Sequence, residues 1–177
     1  MNAVELTSQI EGWFDEDDGG AMKCHELILH LLRDSARPFA RDQYAPGHIT
    51  ATALVLNESE DAVLLVHHRR LERWLLPGGH VEPADASIFD AARREATEET
   101  SVQLRSDFEP YIAGFDVHGI PSNGQEPYHL HHDILVGLSA SSLEIAVSHE
   151  SRDVQWVSLK DLAGYNVPRN ILSRLGL

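Results

Sequence analysis

The stretch LPGGHVEPADASIFDAARREATEET, Leu76 to Thr100, most constrains what this chain can become, because it sets a glycine pair before a segment that carries Glu95, Glu98 and Glu99 within five positions. Gly78 and Gly79 follow the strand-like WLL and Pro77, which predicts a turn where backbone groups approach a ligand closely and can offer a carbonyl to a metal. Ser87, with Asp90 three positions on, resembles a capping box, and the residues after it are mostly strong helix formers. A helix is therefore expected from about Ser87 to Thr100, with Ile88, Phe89, Ala92 and Ala96 toward the core. The three glutamates stand at i, i+3 and i+4 and are expected as one stripe on the opposite, exposed side. Hard oxygen donors so spaced suit Mg²⁺ or Mn²⁺, and Arg94, four before Glu98, is placed to orient it. The plainer reading of REATEE by itself is a solvated acidic helix face.

Composition sharpens the question. The chain has 28 acidic residues against 14 basic ones, a formal charge of -14, so clustering three of those carboxylates calls for a compensating cation. The same charge disfavours nucleic acid backbones and anionic membranes as partners. At 177 residues and 42% hydrophobic content the chain fits one domain with a sizeable core. Cys24 is the single cysteine, so there is no internal disulfide, and with no basic-plus-apolar leader and no apolar run near ~20 residues the expected compartment is the cytoplasm.

The pattern changes character once along the chain. Leu6, Ile10, Trp13 and Phe14 fall on one helical face, and Leu27, Ile28, Leu31 and Leu32 on another, so residues 1–46 are expected as an extension with two amphipathic helices separated by DEDDGG. From 47 to 177 the signal is short strands, HITATALVL, AVLLVHH, EPYIAGFDVHGI, YHLHHDILVGLSA and VQWVSL, with the Leu76–Thr100 segment among them and a last helix near RNILSRLG. This predicts an α+β domain with a mixed sheet and helices around it.

The residues now resemble the Nudix hydrolase family, whose box runs Gly, five residues, Glu, seven residues, then Arg-Glu-apolar-x-Glu-Glu-x-Gly-apolar. Gly79, Arg94-Glu95-Ala96-x-Glu98-Glu99 and Val102 match it. Three departures accompany the match: Asp85 stands at the first Glu, one extra residue separates it from Arg94, and Thr100-Ser101 replaces x-Gly, so no glycine supplies a left-handed helix exit. The resemblance implies an α/β/α sandwich and divalent ions held by Glu95, Glu98, Glu99 and a Gly79 or His80 carbonyl. Such ions would neutralise a diphosphate and acidify a water for attack on phosphorus. It also implies a further carboxylate outside the helix, as base or ligand. Glu150 is the candidate, against a plain loop charge. Implied substrates are nucleoside diphosphates linked to another group. A prenyl-diphosphate isomerase would want a core cysteine, which Cys24 does not provide, and a nucleotide-sensing regulator without hydrolysis is the alternative from another class.

Two more clusters are candidates for substrate contact. HHRRLERW places Arg69, Arg70 and Arg73 before the glycine pair, either on phosphate or in a solvated hairpin turn. Asp116 and His118 share one strand parity, as do His129, His131 and Asp133, so pairing of those strands predicts one polar wall. That wall would read a base or sugar, hold Zn²⁺ or Ni²⁺, or be a hydrated sheet face. The expected partner is a small nucleotide-like molecule, with a second copy of the chain as a further candidate.

Overall fold

The computed structural model describes residues 1–165 and Leu175. The expected final helix near RNILSRLG lies outside the described residues. Helices α1 (Ala3–Ile10) and α2 (Gly19–Asp34) open the chain, each capped by a side chain that accepts from a first-turn amide: Asn2 from Glu5 N–H and Asp18 from Ala21 N–H. The glycine pair of DEDDGG therefore starts the second helix rather than separating the two. Leu6 and Ile10 are buried on α1, and Ile28, Leu31 and Leu32 on α2, as their spacing requires. Phe14 and Leu27 are the corrections, 71% and 49% exposed: Phe14 lies beyond the end of α1, and Leu27 sits beside, not on, the buried stripe of α2.

Seven strands follow: β1 (His48–Leu56), β2 (Ala62–His68), β3 (Arg73–Leu75), β4 (Gly78–His80), β5 (Tyr111–Ile120), β6 (His129–Ser139) and β7 (Ser151–Ser158), with α3 (Ile88–Thr100) between β4 and β5. β6 runs parallel to β1 along its whole length, from His48 opposite His131 to Leu56 opposite Ser139, and β5 pairs antiparallel with β6. β7 likewise fills one edge of β2. The remaining edges of β1 and β2 meet at Leu56 and Val63 and then part, so β3 pairs with β2 and β4 with β1 inside the wedge between them. That wedge is where the glycine pair lies.

Strand alternation then sorts the two faces. Ile49, Ala51, Ala53 and Val55 of β1 point into the larger core, which takes Leu6, Ile10 and Ile28 from α1 and α2 and Ile88, Ala92 and Ala96 from α3. Leu54 points to the opposite face with Val63, Leu65, Leu135 and Val157, covered by Leu162 of a short 3₁₀ helix (Leu162–Tyr165). The expected α+β architecture with a mixed sheet is thus observed, and the two N-terminal helices pack in the same core as α3. Among the described residues no helix is long and apolar enough to cross a membrane.

Candidate functional site

Helix α3 starts as its sequence predicts. Ser87 Oγ accepts from Asp90 N–H at 3.1 Å and donates to the Asp90 carboxylate at 2.8 Å. Its end differs from the expectation only in the residue used. Ser101 itself adopts the left-handed conformation, with φ of 56°, and its N–H closes on Thr97 O.

Gly78 and Gly79 do not form a turn. They belong to β4, neither has a positive φ, and their need for glycine is close approach rather than conformational freedom. A methyl at Gly79 would stand 2.6 Å from Glu95 Oε1, and one at Gly78 would stand 2.6 Å from Ala51 O. β4 is thus pressed between β1 and the carboxylates of α3. Alternation along β4 turns the main-chain groups of Gly78 and His80 away from β1 and toward α3. Gly78 N–H accordingly donates to Glu99 Oε2 at 3.2 Å, and His80 O accepts from Arg94 Nη2 at 2.8 Å.

Arg94 organises the helix side of the site. Its Nε and Nη2 grip both oxygens of Asp85 at 3.1 and 3.0 Å, while Nη1 reaches Glu95 Oε1 at 2.9 Å and Glu98 Oε2 at 3.1 Å. A planar fork is required for this, which lysine cannot supply. The extra residue between Asp85 and Arg94 leaves their bidentate contact in place. Burial pulls the Asp85 carboxyl up, but hydrogen bonds from Arg94 and Glu82 N–H outweigh it and hold the pKa below its usual value.

The three glutamates are not one exposed stripe. Glu98 is 61% exposed, whereas Glu99 is 6% exposed and counts among the buried positions of α3. Phe89, expected toward the core, is only partly buried and packs against it. Burial, and then the neighbouring charge of Glu95, push the Glu99 carboxyl up to about 8. Glu95 is also raised, by burial first, with Arg94 opposing. Two inward carboxylates that ionise reluctantly suit a cation, and with the exposed Glu98 they form a hard oxygen donor set that fits Mg²⁺ or Mn²⁺. Glu150 sits on the loop before β7 and is 61% exposed, and its charge adds to the rise of both Glu95 and Glu99.

Of the arginines before the glycine pair, Arg69 and Arg70 lie in the hairpin turn between β2 and β3, whereas Arg73 opens β3 opposite His68. Arg69 donates from Nη2 to Ser151 O at 2.9 Å and from its backbone N–H to Glu150 O at 3.2 Å, which ties this turn to the Glu150 loop. Arg70 is exposed, and its N–H donates to His68 Nδ1.

On the opposite face β5 and β6 pair so that Asp116 lies opposite Asp133 and His118 opposite His131. The expected wall is therefore assembled. His118 Nδ1 stands 3.0 Å from Asp116 Oδ2, which raises the imidazole pKa, and Thr50 Oγ1 donates to the buried Asp133 at 2.9 Å. The sequence reading missed two members. His48 enters because β1 runs in register beside β6, and His80 because β4 pairs with β1 at Thr50. The available signal was the polar parity of His48, Thr50 and Thr52 in an otherwise apolar strand. His48 and His131 ring centroids lie 4.9 Å apart, His80 and His131 5.1 Å, and His129 stacks on His48 at 5.2 Å. Burial, followed by the other imidazoles, lowers His80 to about 4 and His131 to about 2, so both rings are neutral near pH 7.

The family model described as NUDIX domain matches residues 46–175. The chain belongs to the Nudix family, and it is a Nudix-type pyrophosphohydrolase. A Bacillus subtilis (strain 168) protein named "Putative 8-oxo-dGTP diphosphatase" is 34% identical over 118 residues, 67% of this chain and 71% of that protein. The MutT protein from Methanosarcina mazei Go1 is 25% identical with a TM-score of 0.53, over 74% of this chain and 91% of that one. The NUDIX domain of Shewanella oneidensis NrtR, solved with ADP ribose, has a TM-score of 0.57 at 18% identity over 82% and 93% of the two chains, a likeness of fold.

Proposed function

We propose that this protein hydrolyses a pyrophosphate linkage in a nucleotide-linked small molecule, using Mg²⁺ or Mn²⁺ held by Glu95, Glu98 and Glu99. The observation that carries the reading is the inward pair Glu95 and Glu99, pressed against β4 with raised pKa values, in a box that matches the family at Gly79, Arg94, Glu95, Glu98, Glu99 and Val102. The main-chain donor on the α3 side is the Gly78 carbonyl, because Gly79 faces β1 and the His80 carbonyl is held by Arg94. When bound, the divalent ion supplies charge neutralisation for the diphosphate and acidifies a water.

The remaining work falls to the chain itself. Arg94 keeps Glu95 and Glu98 at fixed orientation while Asp85 holds Arg94. Glu150 takes a proton or completes the donor set from the loop before β7, where it is accessible to water. His118, His129, His131 and Asp133, with Arg69 and Arg70 of the β2–β3 turn, are the groups offered to the substrate's base, sugar or phosphates. The polar, strongly acidic surface supports a small soluble partner and a cytoplasmic setting, and the helices of residues 1–46 act as a covering extension of the catalytic domain at 47–177.

A screen of nucleoside triphosphates, ADP-ribose, dinucleoside polyphosphates and sugar nucleotides with Mg²⁺ and Mn²⁺, scored for phosphate-containing products, tests this. One class is expected to turn over with either metal and none with chelator. Tight nucleotide binding without any turnover would instead identify a sensor.

A further inference from the structure

We infer that His48, His80 and His131 form a site for one Zn²⁺ ion, on the face of the sheet opposite the glutamates of α3. One ligand nitrogen from each residue lies within 4.8 Å of the other two. Three strands deliver them: His48 opens β1, His131 is its in-register partner on β6, and His80 ends β4 across from Thr50. Directly opposed residues share a face, so His80 is on the side of Thr50 and His48 while the adjacent Gly79 is covered by Glu95. The imidazole group and the carboxylate group thus stand back to back across β4.

A second observation points to a ligand. Nε2 of His48 and Nε2 of His131 are buried and have no hydrogen-bond partner. Buried polar nitrogens are ordinarily satisfied, and leaving one unpaired is costly. His48 is further prepared for coordination, since its Nδ1 lies 3.2 Å from the Gln43 carbonyl. An N–H donated there leaves the Nε2 lone pair free to bind, the arrangement by which an outer partner orients a metal-bound histidine.

The donor set selects the ion. Three imidazoles suit Zn²⁺ and its transition-metal neighbours, whereas Mg²⁺ prefers oxygen. Zn–N distances of about 2.0–2.1 Å set tetrahedral nitrogens about 3.4 Å apart, within reach by ring rotation from the present spacing. Three protein ligands leave one position for solvent or a substrate oxygen. Because the carbonyl of His80 holds Arg94, an ion on its ring would also fix β4 beneath the carboxylates.

The test uses the full chain, stripped with chelator and held in excess Mg²⁺ while Zn²⁺ is titrated. One equivalent should survive gel filtration, with a zinc-edge X-ray absorption spectrum showing imidazole nitrogens at about 2.0–2.1 Å. His48→Asn and His131→Asn should each lose the ion with an unchanged circular dichroism spectrum. Glu99→Gln should keep it, so the outcome is independent of the pyrophosphohydrolase reading. Failure of the wild-type chain to retain Zn²⁺ over Mg²⁺, an oxygen-only first shell, or full retention by folded His48→Asn overturns the proposal. The wild-type spectrum decides even if a variant does not fold.

Discussion

Glu99 accepts a hydrogen bond from the backbone N–H of Gly78 at 3.2 Å, joining the last turn of α3 to a strand that precedes it by 21 positions. The bond orients a carboxylate that burial holds at a pKa of about 8. Replacing Glu99 by Gln keeps an acceptor for Gly78 and removes only the charge. Turnover at saturating Mg²⁺ is expected to fall at least about a thousandfold, an effect of the size that loss of a principal electrostatic group produces. Steady-state rates close to wild type would remove Glu99 from the metal site.

The same substitution has a signature in stability. The folded pKa of Glu99 lies above its ordinary 4.5, so its contribution is fully present below 4.5 and is lost as pH rises through about 8. Melting curves of chelated wild-type protein should therefore fall relative to Glu99→Gln across that window. Added Mg²⁺ should recover part of the loss at the alkaline end. Parallel wild-type and variant profiles would contradict the burial of an ionising carboxylate.

Asp85 titrates in the opposite sense. Its folded pKa is held below 3.8, so the stability it contributes is present above that value and is lost as pH falls through the lower folded one. Asp85→Asn breaks a bidentate pair that is 5% exposed on the aspartate and 18% on Arg94, and should cost roughly 3–5 kcal/mol near neutral pH. Chemical denaturation at pH 7 measures the loss, and repetition at an acid pH below 3.8 should show a smaller difference between the two proteins. A constant difference at both pH values would assign the loss to packing instead.

Glu150 separates chemistry from folding. Its side chain is 61% exposed, so Glu150→Gln should leave the melting temperature within about a degree while lowering kcat by roughly a hundredfold. An unaltered kcat would return Glu150 to the loop surface and leave proton transfer to Glu95.

Gly79→Ala probes the close approach of β4 to α3. A methyl 2.6 Å from Glu95 Oε1 must push that carboxylate away, at a cost of about 1–3 kcal/mol in stability, with a loss of metal affinity. Calorimetric Mg²⁺ titration should show weaker binding. Gly78→Ala meets Ala51 O at the same distance and should destabilise at least as much, because that atom belongs to the backbone.

Local chemistry was enough to locate α3, its Ser87 cap and most of the strands, since a capping side chain and a two- or 3.6-residue period act over a few positions. The parity of His118, His129, His131 and Asp133 was likewise sufficient to place them on one face once β5 and β6 paired. Burial of Glu99 was not legible. Helical spacing says that Glu95, Glu98 and Glu99 are neighbours, but which of them is covered depends on β4, and β4 exists only because β1 and β2 diverge and leave it an edge. His48 and His80 joined the histidine wall for the same reason: the in-register parallel pairing of β1 with β6 spans 83 positions, and no local period encodes a partner that far away. Side-chain identity and short-range periodicity therefore determined which groups this protein can use, and long-range strand pairing decided which carboxylate is desolvated and which imidazoles share a sheet face, because desolvation and proximity are properties of the packed sheet.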